Sequence, residues 1–259
     1  MILRALSPPP ASTVIEPIWT AIERSQRQDF SPGCWLVPQP AHAALSGDIA
    51  ANLDEQAFAP ITPEVARAFA LHDAGWSLDD AAVIQDSRAR GVKAKPYSFV
   101  AANPRNIAAA WTGSIAIAGK ASPLGGYLVS RHFAAIGRHH RSQVDAPTGK
   151  ILDDFLAQEH PRQQKLRKKL PQADSELDRL LAALQFCDLL SLYLSCGLGG
   201  DVEFPQMVAG QAIQLRRVSH GVRLSPHPFA QGQSFSVAAI RHPKIGLESS
   251  TTFTLTCVV

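Results

Sequence analysis

From Pro38 to about Gly199 apolar residues recur at offsets of three and four, the spacing that keeps side chains on one face of an α-helix. The breaks between these runs carry helix-start residues. Thr62-Pro63-Glu64 sets a cap residue, a first-turn proline and an early acid in sequence, and Asn103-Pro104 repeats the first two. Asp174, with Glu176 and Asp178 behind it, is expected to cap a long helix that ends near Cys196 and is closed by Gly197 and Gly199-Gly200. Beyond Asp201 the pattern changes to short β-branched segments, 213–218, 235–240 and 251–259, separated by Gly, Pro and His. Residues 1–33 read as irregular, with a proline cluster at Pro8-Pro9-Pro10 and a helical patch over 15–27, and Trp35-Leu36-Val37 reads as a short strand. The polar, basic stretch 85–97 is expected to be a loop. The predicted fold is mainly α: one domain over 1–259, with a helical core at 34–200 and a small C-terminal antiparallel β element at 201–259, α+β overall.

Composition narrows the function classes without naming one. The chain has 259 residues, 46% hydrophobic and 18% charged, enough to bury a sizeable core. A net charge of +3 is too small to make nucleic acid the main partner. The one dense basic run, Lys165-Leu166-Arg167-Lys168-Lys169, reads as a solvated helical face. Cys34, Cys187, Cys196 and Cys257 lack Cys-x-x-Cys spacing, which points to reduced thiols rather than a disulfide frame or zinc ribbon. The weakly apolar segment 107–119 has 13 residues, short of the ~20 that span a bilayer. No membrane partner is expected, and a cytoplasmic location follows by default. Phosphate-loop, Gly-x-Ser-x-Gly and His-Glu-x-x-His motifs are absent from the sequence.

The polar residues that fall on apolar stripes carry the chemistry. Leu177, Leu181, Leu184 and Asp188 share one face of the long helix, which places a carboxylate in the core. A buried carboxylate without a partner costs several kcal/mol or is forced to protonate, so a cation should meet Asp188. His42 aligns with Leu45, Ile49 and Leu53; His72 follows Val65 and Phe69; His132 lies with Leu124, Leu128 and Ile136. A single histidine on such a stripe is usually a hydrogen-bonded core residue. Three histidines and an aspartate from four helices need a shared counter-charge. Asp73 is rotated by ~100° from His72, but at a helix end both can reach an ion beyond its tip. Such oxygen and imidazole donors suit Mn, Fe, Zn or Mg.

The order His42, then His72-Asp73, then Asp188 resembles the HD superfamily of metal-dependent phosphohydrolases. Three stretches, Trp35 to Gly47, Leu71-His72-Asp73-Ala74-Gly75-Trp76 and Leu184 to Leu192, also resemble a largely bacterial family of uncharacterised proteins catalogued as a domain of unknown function; Tyr127 to Phe133 and Pro226-His227-Pro228-Phe229 are similar to it too. The resemblance implies an HD-like helical core and one or two divalent ions held by His42, His72, Asp73 and Asp188. It implies hydrolysis of a phosphoester or nucleotide-like small anionic molecule by metal-activated water. Asp73 would orient the water, His132 would line the site or add a ligand, with His139, His140 and Glu159 behind it. Arg131 would lie beside the pocket, and Arg138, Arg141, Lys93 and Lys95 are more distant phosphate clamps. Two departures stand: the gap from Asp73 to Asp188 is longer than in compact HD domains, and the uncharacterised family has no settled activity. Alternatives are a dinuclear-iron oxygenase on the same frame, drawing on His139, His140 or His160, and a non-catalytic metal-stabilised scaffold. A homo-oligomer is compatible with all three.

Overall fold

A computed structural model describes residues 1–7, 14–245 and 248–259, and the proline cluster lies outside them. The described strands are β1 (Ile2–Ala5), β2 (Glu16–Pro17), β3 (Cys34–Val37), β4 (Val202–Val208), β5 (Gln211–Val218), β6 (Gly221–Ser225), β7 (Gln233–Ile245) and β8 (Glu248–Val258). They form one eight-stranded sheet in the order β1-β3-β7-β8-β6-β5-β4-β2. It is mixed: β2–β4 and β6–β8 pair in parallel, the other neighbours antiparallel. The helices are α1 (Ile18–Gln26), α2 (Gln39–Ala50), α3 (Pro63–Ala70), α4 (Ser77–Arg90), α5 (Pro104–Ala121), α6 (Pro123–Arg141), α7 (Ala146–Arg167) and α8 (Asp174–Cys196).

This α/β architecture overturns the expectation of a mainly α chain with a small C-terminal β element. The expected strand at 35–37 is present as β3, which joins the sheet through Cys34 opposite His242, and residues read as irregular add β1 outside it, Ile2 opposite Val37. Strands of two to four residues are too short to display alternation, and their partners lie far away in sequence. The C-terminal strands are also longer than their β-branched segments, because β7 continues through Arg241-His242-Pro243. The expected loop at 85–97 begins instead as the last part of α4. The buried positions of α4 are Asp80, Val83 and Ser87, at helical offsets; two are polar, so a search for apolar periodicity passes over them.

The predicted helix signals mostly hold. Thr62 caps α3 by accepting from the Val65 amide, Asn103 caps α5 through the Arg105 amide, and Gly197 ends α8 in the left-handed region at φ 70°. Asp174 is inside α8 rather than its cap, and its carboxylate takes Arg167 Nε at 2.7 Å. The Asp80 carboxylate accepts the buried Gln39 amide at the start of α2, where the helix dipole favours a negative group.

The centre of the fold is α8. Every residue from 190 to 196 is buried, because the helix packs against α1, α2 and α6 as well as β1, β4 and β8. A helix covered on all sides loses its amphipathic stripe. Among the described residues it is the one helix long and apolar enough to cross a membrane, yet 72% of its apolar window is buried inside the protein, as in the core helix of a soluble protein. One hydrophobic cluster joins its Leu184, Phe186 and Tyr193 to Leu45 of α2, Phe204 of β4 and Leu215 of β5. All four cysteines are buried and free.

The turn after α3 is held against α5. Gly75 donates its amide to Ser114 Oγ at 2.9 Å, and a Cβ there would lie 2.0 Å from the Ala110 carbonyl oxygen and 2.6 Å from the Ser114 nitrogen. Backbone atoms cannot swing aside as a flexible side chain can. Gly75→Ala is therefore expected to destabilise by about 1–3 kcal/mol, lowering Tm by roughly 2–4 °C per kcal/mol. An unchanged thermal melt would show that α5 yields without cost.

Candidate metal centre

Four structural elements bring one charged cluster together. His42 stands on α2, His72 and Asp73 in the turn beyond α3, His132 on α6 and Asp188 on α8. The sequence places their stripes toward the core, and the packing of α2 against both α3 and α8 converges them. His42 and His72 are fully buried, while His132, Asp73 and Asp188 retain 2%, 7% and 8% exposure. His42 Nε2 lies 2.8 Å from Asp73 Oδ2 and 3.8 Å from Asp188 Oδ1. His72 Nε2 lies 3.6 Å and 3.3 Å from the same two oxygens. His132 Nε2 is 3.6 Å from the other Asp188 oxygen.

The second nitrogen of each ring decides what this geometry needs. His72 Nδ1 is 2.7 Å from the Phe69 carbonyl oxygen, which can only accept, so Nδ1 carries a proton. Ser191 Oγ donates to the Asp188 carbonyl at 2.8 Å, and His42 Nδ1 then donates to Ser191 Oγ at 2.7 Å. Both neutral rings therefore present an Nε2 lone pair to carboxylate oxygens. Lone pair against carboxylate is repulsive unless a proton or a cation lies between them. This is the bracing of a metal-ligating histidine, whose other ring nitrogen donates to an oxygen of the protein.

Donor spacing also fits an ion. With ligand bonds of ~2.0–2.2 Å, neighbouring donors on one ion stand roughly 3 Å apart or a little more, as these do. Among the described residues two triplets could hold a cation, His42-His72-Asp73 and His72-His132-Asp188, and both draw on the one free nitrogen of His72. Two carboxylates among three imidazoles leave two negative charges, which a divalent cation balances.

Electrostatics in the cluster follow from burial and charge. Burial pulls His72 down, but Asp73, Asp188 and the Phe69 carbonyl outweigh it and raise its pKa to about 9. Burial pushes Asp188 up, but the bond from His72 and the charges of His72, His132 and His42 hold it at about 2. For His132 burial prevails over the attraction of Asp188 and lowers it to about 4. Its Nδ1 is buried without a hydrogen-bond partner, so unlike His42 and His72 it is not braced as a ligand.

Several predicted residues lie elsewhere. Arg131, expected beside the pocket, pairs with Asp178 at 2.8 Å and sits over the Tyr127 ring, because the residue before His132 faces a different side of α6. Glu159 is buried against Ser130 and Arg162, His160 is exposed beside Gln164, and Arg141 pairs with Asp153. Arg138, Lys93 and Lys95 are exposed. Trp76 is buried core beside Ala102 and Ala110. His139 and His140 do line a cavity of about 600 Å³ that reaches His132 and Asp188. Sequence reasoning missed the bracing serines. Ser191 is three residues from Asp188 and Ser46 four from His42, so each polar residue on an already polar stripe was the available signal. It also missed the cavity walls from α1 and β4, Trp19 and Phe204.

Helices and a mixed sheet around a buried His/Asp centre define an α/β protein with a cluster of side chains that could hold a metal ion. The chain belongs to the family described as "Protein of unknown function (DUF3891)", whose profile matches residues 26–241. No curated protein and no solved structure matches it.

Two outcomes are expected. Removing the Ser191 hydroxyl frees His42 Nδ1, so Ser191→Ala should weaken divalent-metal affinity about 10- to 100-fold, read by calorimetric titration; equal affinity would deny Ser191 its orienting role. In chelator, the folded protein keeps a proton on His72 that the unfolded chain releases near pH 6.5. The stability from His72 is thus complete below pH 6.5 and is lost as pH rises through about 9. His72→Gln should flatten that alkaline limb in thermal melts. A limb of the same slope in the variant refutes a protonated His72.

Proposed function

We propose that the chain is a divalent-metal-dependent hydrolase of a small phosphoester, with a water as nucleophile. The observation that carries this reading is the pair of imidazole lone pairs turned toward two buried carboxylates. His42, His72, Asp73 and Asp188 would hold the ion, in the order that resembles the HD superfamily. When bound, it supplies a water acidified toward neutral pH and neutralises charge building on a phosphoryl group.

The chain's own residues define the remaining roles. Asp73, bonded to His42, is placed to orient a water as well as to bind the cation. His132 stands beside Asp188 where the cavity reaches the cluster, and burial keeps it neutral near neutral pH. A neutral imidazole whose Nε2 faces Asp188 at 3.6 Å would accept a proton from the water or pass one to the leaving oxygen. Arg131 has no part in this reading, since Asp178 occupies it. A dinuclear oxygenase would need two further histidine ligands, and among the described residues the groups that could hold a cation add only His132 to His42 and His72.

The test is metal content followed by turnover. Protein purified without chelator should carry close to one Mn, Fe, Mg or Zn per chain, and His72→Ala and Asp188→Ala should carry essentially none. The loaded protein should hydrolyse 4-nitrophenyl phosphate, with Asp188→Ala slower by at least about 10²-fold. Oxygen uptake by an iron-loaded protein would replace the hydrolase with an oxygenase. Bound metal without turnover, together with melting on its removal, would leave a scaffold.

A further inference from the structure

The cavity beside the centre carries information about what enters it. Its walls are apolar: Trp19 of α1, Ile136 of α6, Leu189 of α8 and Phe204 of β4. Trp19 is half-buried and seated between Phe99 and His140, with ring centroids 6.5 Å and 5.7 Å away. Among the described residues no lysine or arginine lines the cavity; its ionisable groups there are Asp188, Glu203 and the histidines. The arginines of α6 that might have served are exposed or committed to Asp178 and Asp153. A volume of about 600 Å³ falls within the ~300–1,000 Å³ of small-molecule sites.

Charge and shape together restrict the substrate. One phosphoryl group can be met at the metal centre. Each further phosphate of a nucleoside di- or triphosphate would lie in a cavity that offers carboxylates and apolar side chains, without the Arg or Lys donors such groups require. An aromatic or alicyclic body, by contrast, gains from apolar burial and from a ring face at Trp19. Gln185 and Gln206 supply the uncharged polar contacts: both line the cavity, and Gln206 is 7% exposed with an Oε1 that has no hydrogen-bond partner.

We propose that this site takes a monophosphoester whose single charged group is carried on an apolar, ring-containing body, and that it turns away nucleoside polyphosphates. The proposal rests on the metal-hydrolase reading above, and the experiment separates the two. The metal-loaded protein is titrated by calorimetry with 1-naphthylphosphonate, which cannot be hydrolysed, and with a non-hydrolysable nucleoside triphosphate analogue. The phosphonate should bind at least about tenfold more tightly. Trp19→Ala should weaken it by about tenfold with the metal stoichiometry unchanged. Gln185→Arg, which adds a cation to the wall without removing an apolar contact, should shift preference toward the triphosphate by about tenfold.

Equal or tighter binding of the triphosphate by the unmodified protein overturns the proposed substrate class, as does failure of both probes to bind. So does binding of the phosphonate that neither substitution alters. If the phosphonate binds as expected while 1-naphthyl phosphate is not turned over, the ligand class stands and the hydrolase reading falls. Turnover of 1-naphthyl phosphate with no preference over the triphosphate leaves the hydrolase and removes the class.

Discussion

Asp73 and Asp188 are buried opposite imidazole nitrogens whose partners across the ring have already given their protons to Ser191 and Phe69. Taking two carboxylates out of water is costly, and it is sustained only where positive charge meets them. That requirement organises the centre of the molecule. α2 and α3 must approach closely, and they do so at Gly47, where an added Cβ would lie 2.7 Å from that of Ala70. α8 must bring Asp188 to the same point while its other faces bury Leu184, Phe186 and Tyr193 in the main core. Each large apolar side chain buried there contributes about 1.5–3 kcal/mol, which offsets the desolvation of the polar centre.

The sheet connects this centre to a cavity. Parallel pairing of β2 with β4, Glu16 opposite Val202, sets α1 next to β4 across nearly the whole chain. Trp19 and Phe204 thereby become walls of one cavity, although they are separated by most of the sequence. The C-terminal β segment is therefore part of the candidate substrate site and not an appendage to a helical body. The candidate cation site and the cavity rest on different parts of the fold: histidines and aspartates on three helices and the turn after α3 for the first, a strand and an N-terminal helix for much of the second.

Much of the cation site was legible in the amino-acid sequence. His42, His132 and Asp188 stand on helical stripes with Leu and Phe neighbours, and a local period of 3.6 residues is enough to turn them inward; His72 was read on the same kind of stripe but lies in the turn beyond α3. The serines that brace the rings were on the same stripes, but a small hydroxyl on a buried face has too many ordinary uses to signal a role. Arg131 shows the opposite error. Adjacency to His132 suggested the pocket, whereas one residue of helix rotates a side chain by ~100°, toward Asp178 in this case. α4 was hidden because its buried stripe includes Asp80 and Ser87, whose partners, Gln39 and His242, are remote in sequence.

By itself, then, the sequence determined most of the helices, the Thr62 and Asn103 caps, and the inward direction of His42, His132 and Asp188, because these follow from hydrogen bonds and periodicity within a few residues. Only the tertiary structure decided the eight-stranded sheet, the distances within the centre and the apolar cavity, whose lining holds no lysine or arginine among the described residues. Strand pairing and cavity walls join residues such as Cys34 and His242, or Trp19 and Phe204, whose encounter leaves no local pattern. Their contact is set by which surfaces bury one another when the chain folds.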